Sequence, residues 1–70
     1  MNKIFVHEAY TDKPMFININ AIDIVTIEGN KYDEYYKYTK IFVGERVFPV
    51  KETFDTVILK IRDAESEDKT

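Results

Sequence analysis

Apolar and polar residues alternate along most of the first fifty positions, as they do in strands that bury one face. The alternation falls into separate runs at residues 3–9, 15–19, 22–28, 39–43 and 46–50. Turn-forming residues stand between the runs, including Pro14, the pair Gly29-Asn30 and the pair Gly44-Glu45. The pattern predicts a mainly β (α+β) fold with about five strands in a bent antiparallel sheet or small barrel, followed by one C-terminal helix.

The last two runs predict a hairpin whose register follows from its turn. Gly44-Glu45 suits a two-residue turn with glycine first. One face of the hairpin then carries Ile41, Val43, Phe48 and Val50. The opposite face carries Phe42, Val47 and Pro49, and the same alternation adds Tyr36 and Tyr38. Both faces are therefore apolar, so one forms the core and the other is covered or open to a partner. Because Pro49 cannot donate a ladder hydrogen bond, we expect its strand to lie at an edge or to be bulged.

A helical period begins near residue 53 and predicts a helix over residues 53–65. Thr53 suits the N-cap, and Asp55 places a negative charge in the first turn. Spacing of i, i+3, i+4 and i+7 gives an apolar stripe, expected to pack on the first hairpin face: Phe54, Val57, Ile58 and Ile61. Residues 63–70 are polar and charged, which predicts a disordered tail behind a single domain over residues 1–62.

The composition bounds how such a domain can be stabilised. Its 70 residues bury only about 60% of the surface exposed by the unfolded chain. The chain has no cysteine, so stability must come from the 44% of apolar residues or from a partner subunit. No export signal and no run of about 20 apolar residues is visible in the sequence. We therefore expect a cytoplasmic chain without a membrane span.

Charge and chemistry both narrow the function classes. The formal net charge is −3 and the basic residues are scattered, whereas nucleic-acid binders show a basic face. His7 is the only histidine and Ser66 the only serine, so neither a metal site nor a nucleophile–base pair is indicated. A carboxylate pair would need a cleft, which a small sheet with one helix seldom encloses. We predict no enzyme activity, no cofactor and no metal, with a structural role for His7.

The strongest local signal is a tyrosine-rich segment over residues 31–38. Tyrosine gives a large contact area at low entropic cost and is enriched in binding surfaces. We therefore predict a protein-binding surface made of Tyr32, Tyr35, Tyr36, Tyr38, Phe42 and Val47. The alternative is a twisted hairpin whose tyrosines only shield the sheet.

Two short motifs carry a resemblance to a known family. The stretch Asn20-Ala21-Ile22-Asp23-Ile24-Val25-Thr26-Ile27-Glu28 and the helix entry Val50-Lys51-Glu52-Thr53 occur in the order typical of small bacterial FlbD/SwrD-type proteins. The chain resembles that family over residues 13–30 and 39–61, and is also similar to the β-rich core of LytTR DNA-binding domains. It departs from FlbD-like chains by its inserted tyrosine-rich stretch and by Gly44-Glu45 in place of an Asn-Gly turn.

The FlbD/SwrD resemblance implies protein contacts in flagellar motility or swarming, with no catalytic residues. A diverged member on a phage or other mobile element is a further expectation. Three hypotheses follow: a non-enzymatic accessory or regulatory protein that binds another protein, a nucleic-acid-binding regulator of LytTR-like shape, or a structural subunit of a homo-oligomer. A homodimer that hides the second hairpin face around Phe42 and Val47 is expected if no foreign partner covers it.

Overall fold

The computed structural model describes residues 2–27 and 37–68, with the side chains of residues 67 and 68 excepted. The strands of these residues are β1 (Lys3–His7), β2 (Pro14–Asn18), β3 (Ile24–Thr26), β4 (Thr39–Val43) and β5 (Arg46–Val50). A short 3-10 turn, Ile19–Ala21, joins β2 to β3, and the helix α1 spans Phe54–Asp68. The predicted mainly β chain with one C-terminal helix is confirmed at this level.

The described strands form two antiparallel sheets rather than the single bent sheet or small barrel that we predicted. One sheet pairs β1 with β2, and the other has the order β3-β4-β5. The two meet at an isolated antiparallel bridge between Glu8 and Val50. Two backbone hydrogen bonds of 2.9 Å flank the bridge, from Lys51 N–H to the carbonyl of His7 and from Ala9 N–H to the carbonyl of Pro49. We call the bridge and these two hydrogen bonds the seam.

The contact between the two sheets stops at the seam because both strands end there, β1 at His7 and β5 at Val50. The carbonyl of Pro49 accepts from Ala9, so Pro49 turns its backbone groups toward the start of the β1–β2 turn. In an antiparallel strand the N–H of a residue points the same way as its carbonyl, and proline has no N–H to donate. Pro49 therefore adds an acceptor but no donor to the seam, and β5 lies at the edge of the three-stranded sheet, as Pro49 indicated.

The predicted register of the β4–β5 hairpin is confirmed. Ile41 pairs with Phe48, and Phe42 pairs with Val47. Gly44 has a φ of 61°, a left-handed value that glycine adopts without the strain of a Cβ. Its N–H donates to the Asp23 carboxylate at 2.8 Å, which holds the turn against the entry to β3.

The core lies between the two sheets and one face of α1. Its buried residues form one cluster: Ile4, Val6, Ile17, Ile41, Val50, Val57 and Ala64. The helix packs chiefly against β1 rather than against the β4–β5 hairpin that we predicted. This placement selects Val57, Ile61 and Ala64, at i, i+4 and i+7, as the inner stripe.

The predicted stripe and its partners are therefore only partly correct. Phe54 and Ile58 are half-buried and lie outside the core cluster, and so does Phe48 on β5. The physical reason is that the stripes 54/58 and 57/61/64 overlap along one helix, and contact with β1 favours the second. Ile41, Val43 and Val50 do face the core.

Both ends of α1 have clear local causes. Thr53 is the N-cap, since its hydroxyl accepts from Thr56 N–H at 3.2 Å and its carbonyl from Val57 N–H at 2.9 Å. The helix continues through Asp68, so the predicted disordered tail is wrong over residues 63–68. Ala64, only 6% exposed, extends the buried stripe by one turn and holds this segment on the core. Across the described residues, no helix is long and apolar enough to cross a membrane.

Candidate functional site

The outer face of the two-stranded sheet carries Phe16, the most exposed aromatic side chain of the described residues. Side chains alternate along both strands, and Ile4, Val6 and Ile17 point into the core. The residues of opposite parity lie on the outer face: Lys3, Phe5, His7, Pro14, Phe16 and Asn18. This face is therefore apolar in its middle and polar at one end.

Phe5 and Phe16 form a cross-strand pair at the centre of that face. They are register partners, and their ring centroids lie 5.1 Å apart with the planes tilted by 42°. His7 meets the edge of the Phe5 ring at 5.0 Å and 70°. Phe16 is 67% exposed and Phe5 is 40% exposed. We call these three rings the outer aromatic row; in a folded chain such exposure leaves a substantial area available for contact.

Phe16 also presents its backbone to an open edge. Within the described residues β2 pairs with β1 alone. Hydrogen bonds from Glu8 N–H to the carbonyl of Lys13 and from Ile19 N–H to that of Asn2 bracket the hairpin. Facing residues of an antiparallel ladder are alternately hydrogen-bonded and non-hydrogen-bonded pairs. Counted from either of these bonds, Phe16 and Phe5 form a non-hydrogen-bonded pair. The N–H and carbonyl of Phe16 therefore point away from β1.

The turn between β1 and β2 is held by one carboxylate. Glu8 Oε2 accepts from Tyr10 N–H at 3.1 Å, from Thr11 N–H at 2.7 Å and from the Thr11 hydroxyl at 2.6 Å. The hydroxyl bond from Thr11 is the main reason why the pKa of Glu8 lies below its ordinary value. Asp12 adopts a left-handed φ of 61° and pairs with Lys51 at 3.1 Å. These contacts fix the hairpin that carries the outer aromatic row.

His7 is clasped to the start of the helix by Glu52. The His7 N–H donates to Glu52 Oε1 at 2.9 Å, and Nδ1 lies 2.9 Å from Oε2. Burial alone would raise the pKa of Glu52, but these two hydrogen bonds outweigh it and hold the pKa below its ordinary value. The Glu52 carboxylate thus accepts the hydrogen bond of the backbone N–H of His7, beside the seam. The described residues contain no group of three or more side chains able to hold a metal ion.

The predicted site residues are only partly brought together. Tyr32, Tyr35 and Tyr36 lie outside the described residues. Phe42 and Val47 are cross-strand partners and half-buried on the outer face of the three-stranded sheet.

The remaining predicted residue, Tyr38, is half-buried and meets the ring of Tyr10 edge-on at 5.3 Å. Sequence reasoning did not single out Ile24, which pairs with Phe42 and is 55% exposed. The three-stranded sheet thus has an apolar outer row of Ile24, Phe42 and Val47.

Phe5 and Phe16 were also missed by the sequence reasoning. A usable signal existed in the alternation of β1, where Ile4 and Val6 oppose Phe5. Pairing β1 with β2 across the turn at residues 9–12 would have placed Phe5 beside Phe16. The alternation shows that both faces of the hairpin are apolar. It does not show which of the two faces the rest of the chain covers.

Two open depressions flank the first half of α1. One, of about 490 Å³, is lined by Ile27, Lys37, Thr39, Thr53, Phe54 and Asp55. The other, of about 460 Å³, is lined by Phe54, Asp55, Ile58, Leu59 and Arg62. Among these described lining residues Asp55 is the one carboxylate, and none is a histidine.

The chain matches no protein-family model, no curated protein and no solved structure. The resemblance to FlbD/SwrD-type proteins and to LytTR domains therefore stays a prediction.

Proposed function

We propose that this chain is a non-enzymatic protein-binding domain and that the outer aromatic row is its contact surface. The observation that carries the proposal is the exposed Phe5–Phe16 pair, in which Phe16 leaves 67% of its surface uncovered. Aromatic rings are enriched at the centres of protein interfaces, and burying one supplies a large hydrophobic gain. An accessory or regulatory role through such a contact agrees with the resemblance to FlbD/SwrD-type proteins.

Rigidity of the hairpin supports the same proposal. Binding costs free energy when loops and side chains must be ordered on contact. Here Glu8 holds the turn, and the seam and the Glu52 carboxylate hold the adjoining end of β1 to the residues around β5. A partner would meet a surface that is already ordered, so more of the gain from burying Phe16 would appear as affinity.

The histidine is better explained as part of the scaffold than as a catalytic base. A carboxylate that binds Nδ1 can orient a histidine for catalysis, provided a nucleophile lies within reach of the other ring nitrogen. Among the described residues, the partners of the His7 ring are the Glu52 carboxylate and the ring of Phe5. Neither is the hydroxyl or thiol that nucleophilic catalysis would require.

Single-stranded nucleic acid is a second candidate ligand for the same face. Phenylalanine rings can stack on bases, and Lys3 lies on this face beside them. The net charge of −3 opposes it, because a phosphate backbone would be repelled. We therefore place protein binding first and treat nucleic acid as a distinct outcome of the same experiment.

Affinity purification from cell extract with paired variants tests the proposal. Phe16→Gln removes the most exposed ring, and Ile24→Gln is a matched control on the outer face of the other sheet. We expect wild type and Ile24→Gln to recover the same protein, and Phe16→Gln to lose it, with nuclease treatment and high salt making no difference.

Other results would redirect the proposal. Loss with Ile24→Gln and retention with Phe16→Gln would move the contact to the Ile24, Phe42 and Val47 row. Recovery that disappears with nuclease or steeply with salt would favour the nucleic-acid reading. Circular dichroism of both variants checks that each is folded.

A further inference from the structure

We infer that β2 pairs edge to edge with β2 of a second copy of this chain, in an antiparallel ladder whose two-fold axis passes beside Phe16. The inference rests on the proposed function, since a second copy at the β2 edge would place its own Phe16 ring beside the outer aromatic row. It differs from the dimer expected from the sequence, which would use the face around Phe42 and Val47. Four observations carry it: the direction of the backbone groups, the register, the charge and the exposed area.

The backbone of β2 offers a short, well-defined edge. Alternation in the β1–β2 ladder turns Pro14, Phe16 and Asn18 outward, whereas Met15 and Ile17 bond toward β1. The outward donors are therefore the N–H groups of Phe16 and Asn18, because proline has none. The outward acceptors are the carbonyls of all three residues.

A two-fold register centred on Phe16 uses both donors. Phe16 of each copy would exchange two hydrogen bonds with Phe16 of the other, as residues do in a hydrogen-bonded antiparallel pair. Asn18 N–H of each copy would reach the carbonyl of Pro14 in the other. Pro14 has no N–H to donate to the Asn18 carbonyl of the other copy. That carbonyl would stay without a donor, but every outward N–H group would have an acceptor. The strand is thus complementary to itself in this register.

Charge favours a second copy at this edge. The chain has 13 acidic residues and a net charge of −3, so two copies repel each other over most of their surface. Residues 13–22 contain no Asp or Glu, and Pro14–Asn18 carries no charged side chain. In the proposed register Lys13 would face Ile19, so no like charges would oppose each other. Edge strands of monomers commonly carry charges that prevent such pairing, and β2 has none.

The exposed area indicates a weak dimer. A phenylalanine buries about 150–250 Å², so the exposed 67% of Phe16 amounts to roughly 100–170 Å² per copy. With Phe5, the exposed surface of the four rings of two copies totals roughly 300–550 Å², and edge pairing would cover only the part that faces the other copy. Stable interfaces bury about 1,200 Å² or more. The pairing should therefore depend on concentration, and the ladder would form a continuous row of Phe5 and Phe16 rings across both copies.

Sedimentation equilibrium over a wide concentration range tests the inference, with Phe16→Glu against Ile24→Glu. We expect wild type and Ile24→Glu to shift toward a dimer as concentration rises, and Phe16→Glu to stay monomeric and folded. A wild type that is monomeric throughout overturns the inference but leaves the proposed function standing, with a foreign protein as occupant. A dimer that survives Phe16→Glu and is split by Phe42→Asp overturns it in favour of the other sheet.

A cysteine scan gives a second readout that does not require a large dimeric fraction. The chain has no cysteine, so a single substitution gives an unambiguous crosslink. In a hydrogen-bonded pair the Cα atoms lie about 5.5 Å apart, within the range of a disulfide. We expect Phe16→Cys to form a disulfide-linked dimer under mild oxidation several-fold faster than Ile24→Cys. Equal rates for the two variants would contradict the register.

Discussion

The two sheets of this small domain differ in how far their outer faces are covered. In the three-stranded sheet the central strand β4 is covered on both sides, since Thr39, Lys40 and Ile41 are successive residues and all are buried. In the two-stranded sheet alternate residues are buried, and the intervening rings of Phe5 and Phe16 stay exposed. The first half of β4 is thus covered on both faces, whereas the two-stranded sheet combines a core face with an open aromatic face. The contrast indicates where a partner would gain most by binding.

The largest expected effect contrasts a buried with an exposed isoleucine in the three-stranded sheet. Ile41 is fully buried, and Ile41→Ala should lower the free energy of unfolding by about 2–5 kcal/mol because it leaves a cavity. Ile24→Ala, at a site 55% exposed, should change it by less than about 1 kcal/mol. Urea denaturation measures both. Equal losses would mean that the outer face of this sheet is as well covered as its core.

The helix face can be tested in the same way. Val57 is fully buried and Ile58 only half-buried, so Val57→Ala should cost more than Ile58→Ala despite losing fewer carbon atoms. We expect about 2 kcal/mol for Val57→Ala and about 1 kcal/mol for Ile58→Ala. If Ile58→Ala proved the more damaging, the stripe inferred from the sequence would be correct and the packing on β1 wrong.

An intermediate effect is expected where the two sheets join. Glu52→Ala would leave the backbone N–H of His7 without its acceptor, which should cost about 1–3 kcal/mol. Lys51→Ala removes only the exposed ion pair with Asp12 and should cost less than about 1 kcal/mol. Thermal unfolding compares the two variants. Similar melting temperatures for both would show that the clasp contributes little to joining the sheets.

The smallest effect concerns the acid response of that clasp. Because folding lowers the pKa of Glu52, its contribution is fully present above the ordinary value of 4.5 and is lost as the pH falls through the lower, folded value. The stability difference between wild type and Glu52→Gln should therefore shrink as the pH falls below 4.5. Denaturation midpoints at neutral and acidic pH measure it. A difference that stays constant with pH would exclude the ionised carboxylate as the source.

Local features of the fold could be predicted from the sequence, and long-range ones could not. The turn at Gly44-Glu45 and the N-cap at Thr53 depend on neighbouring residues, and both are confirmed. The division into two sheets depends on β1 and β5 meeting only where both strands end, at the bridge between Glu8 and Val50, and that meeting point is set by residues far apart in the sequence. The same holds for the helix, where Val57 and Ala64 are selected by contact with a distant strand.

The candidate site was hard to predict for a related reason. Phe5 and Phe42 look alike in the sequence, since each stands between two residues that turn out to face the core. Only the completed packing shows that Phe42 is half-buried whereas Phe5 and Phe16 remain open. The tyrosines at 32, 35 and 36 fall outside the described residues, so that part of the predicted surface stays a prediction.

Backbone hydrogen exchange at several protein concentrations shows whether this domain makes its contact through the open side of the two-stranded sheet. Protection of the Phe16 and Asn18 amides should rise with concentration, because these amides point to the edge. Protection of the Met15 and Ile17 amides, which bond toward β1, should stay constant. Protection that rises along Ile24–Thr26 instead, with Phe16 unchanged, would contradict the claim and assign the contact to the three-stranded sheet.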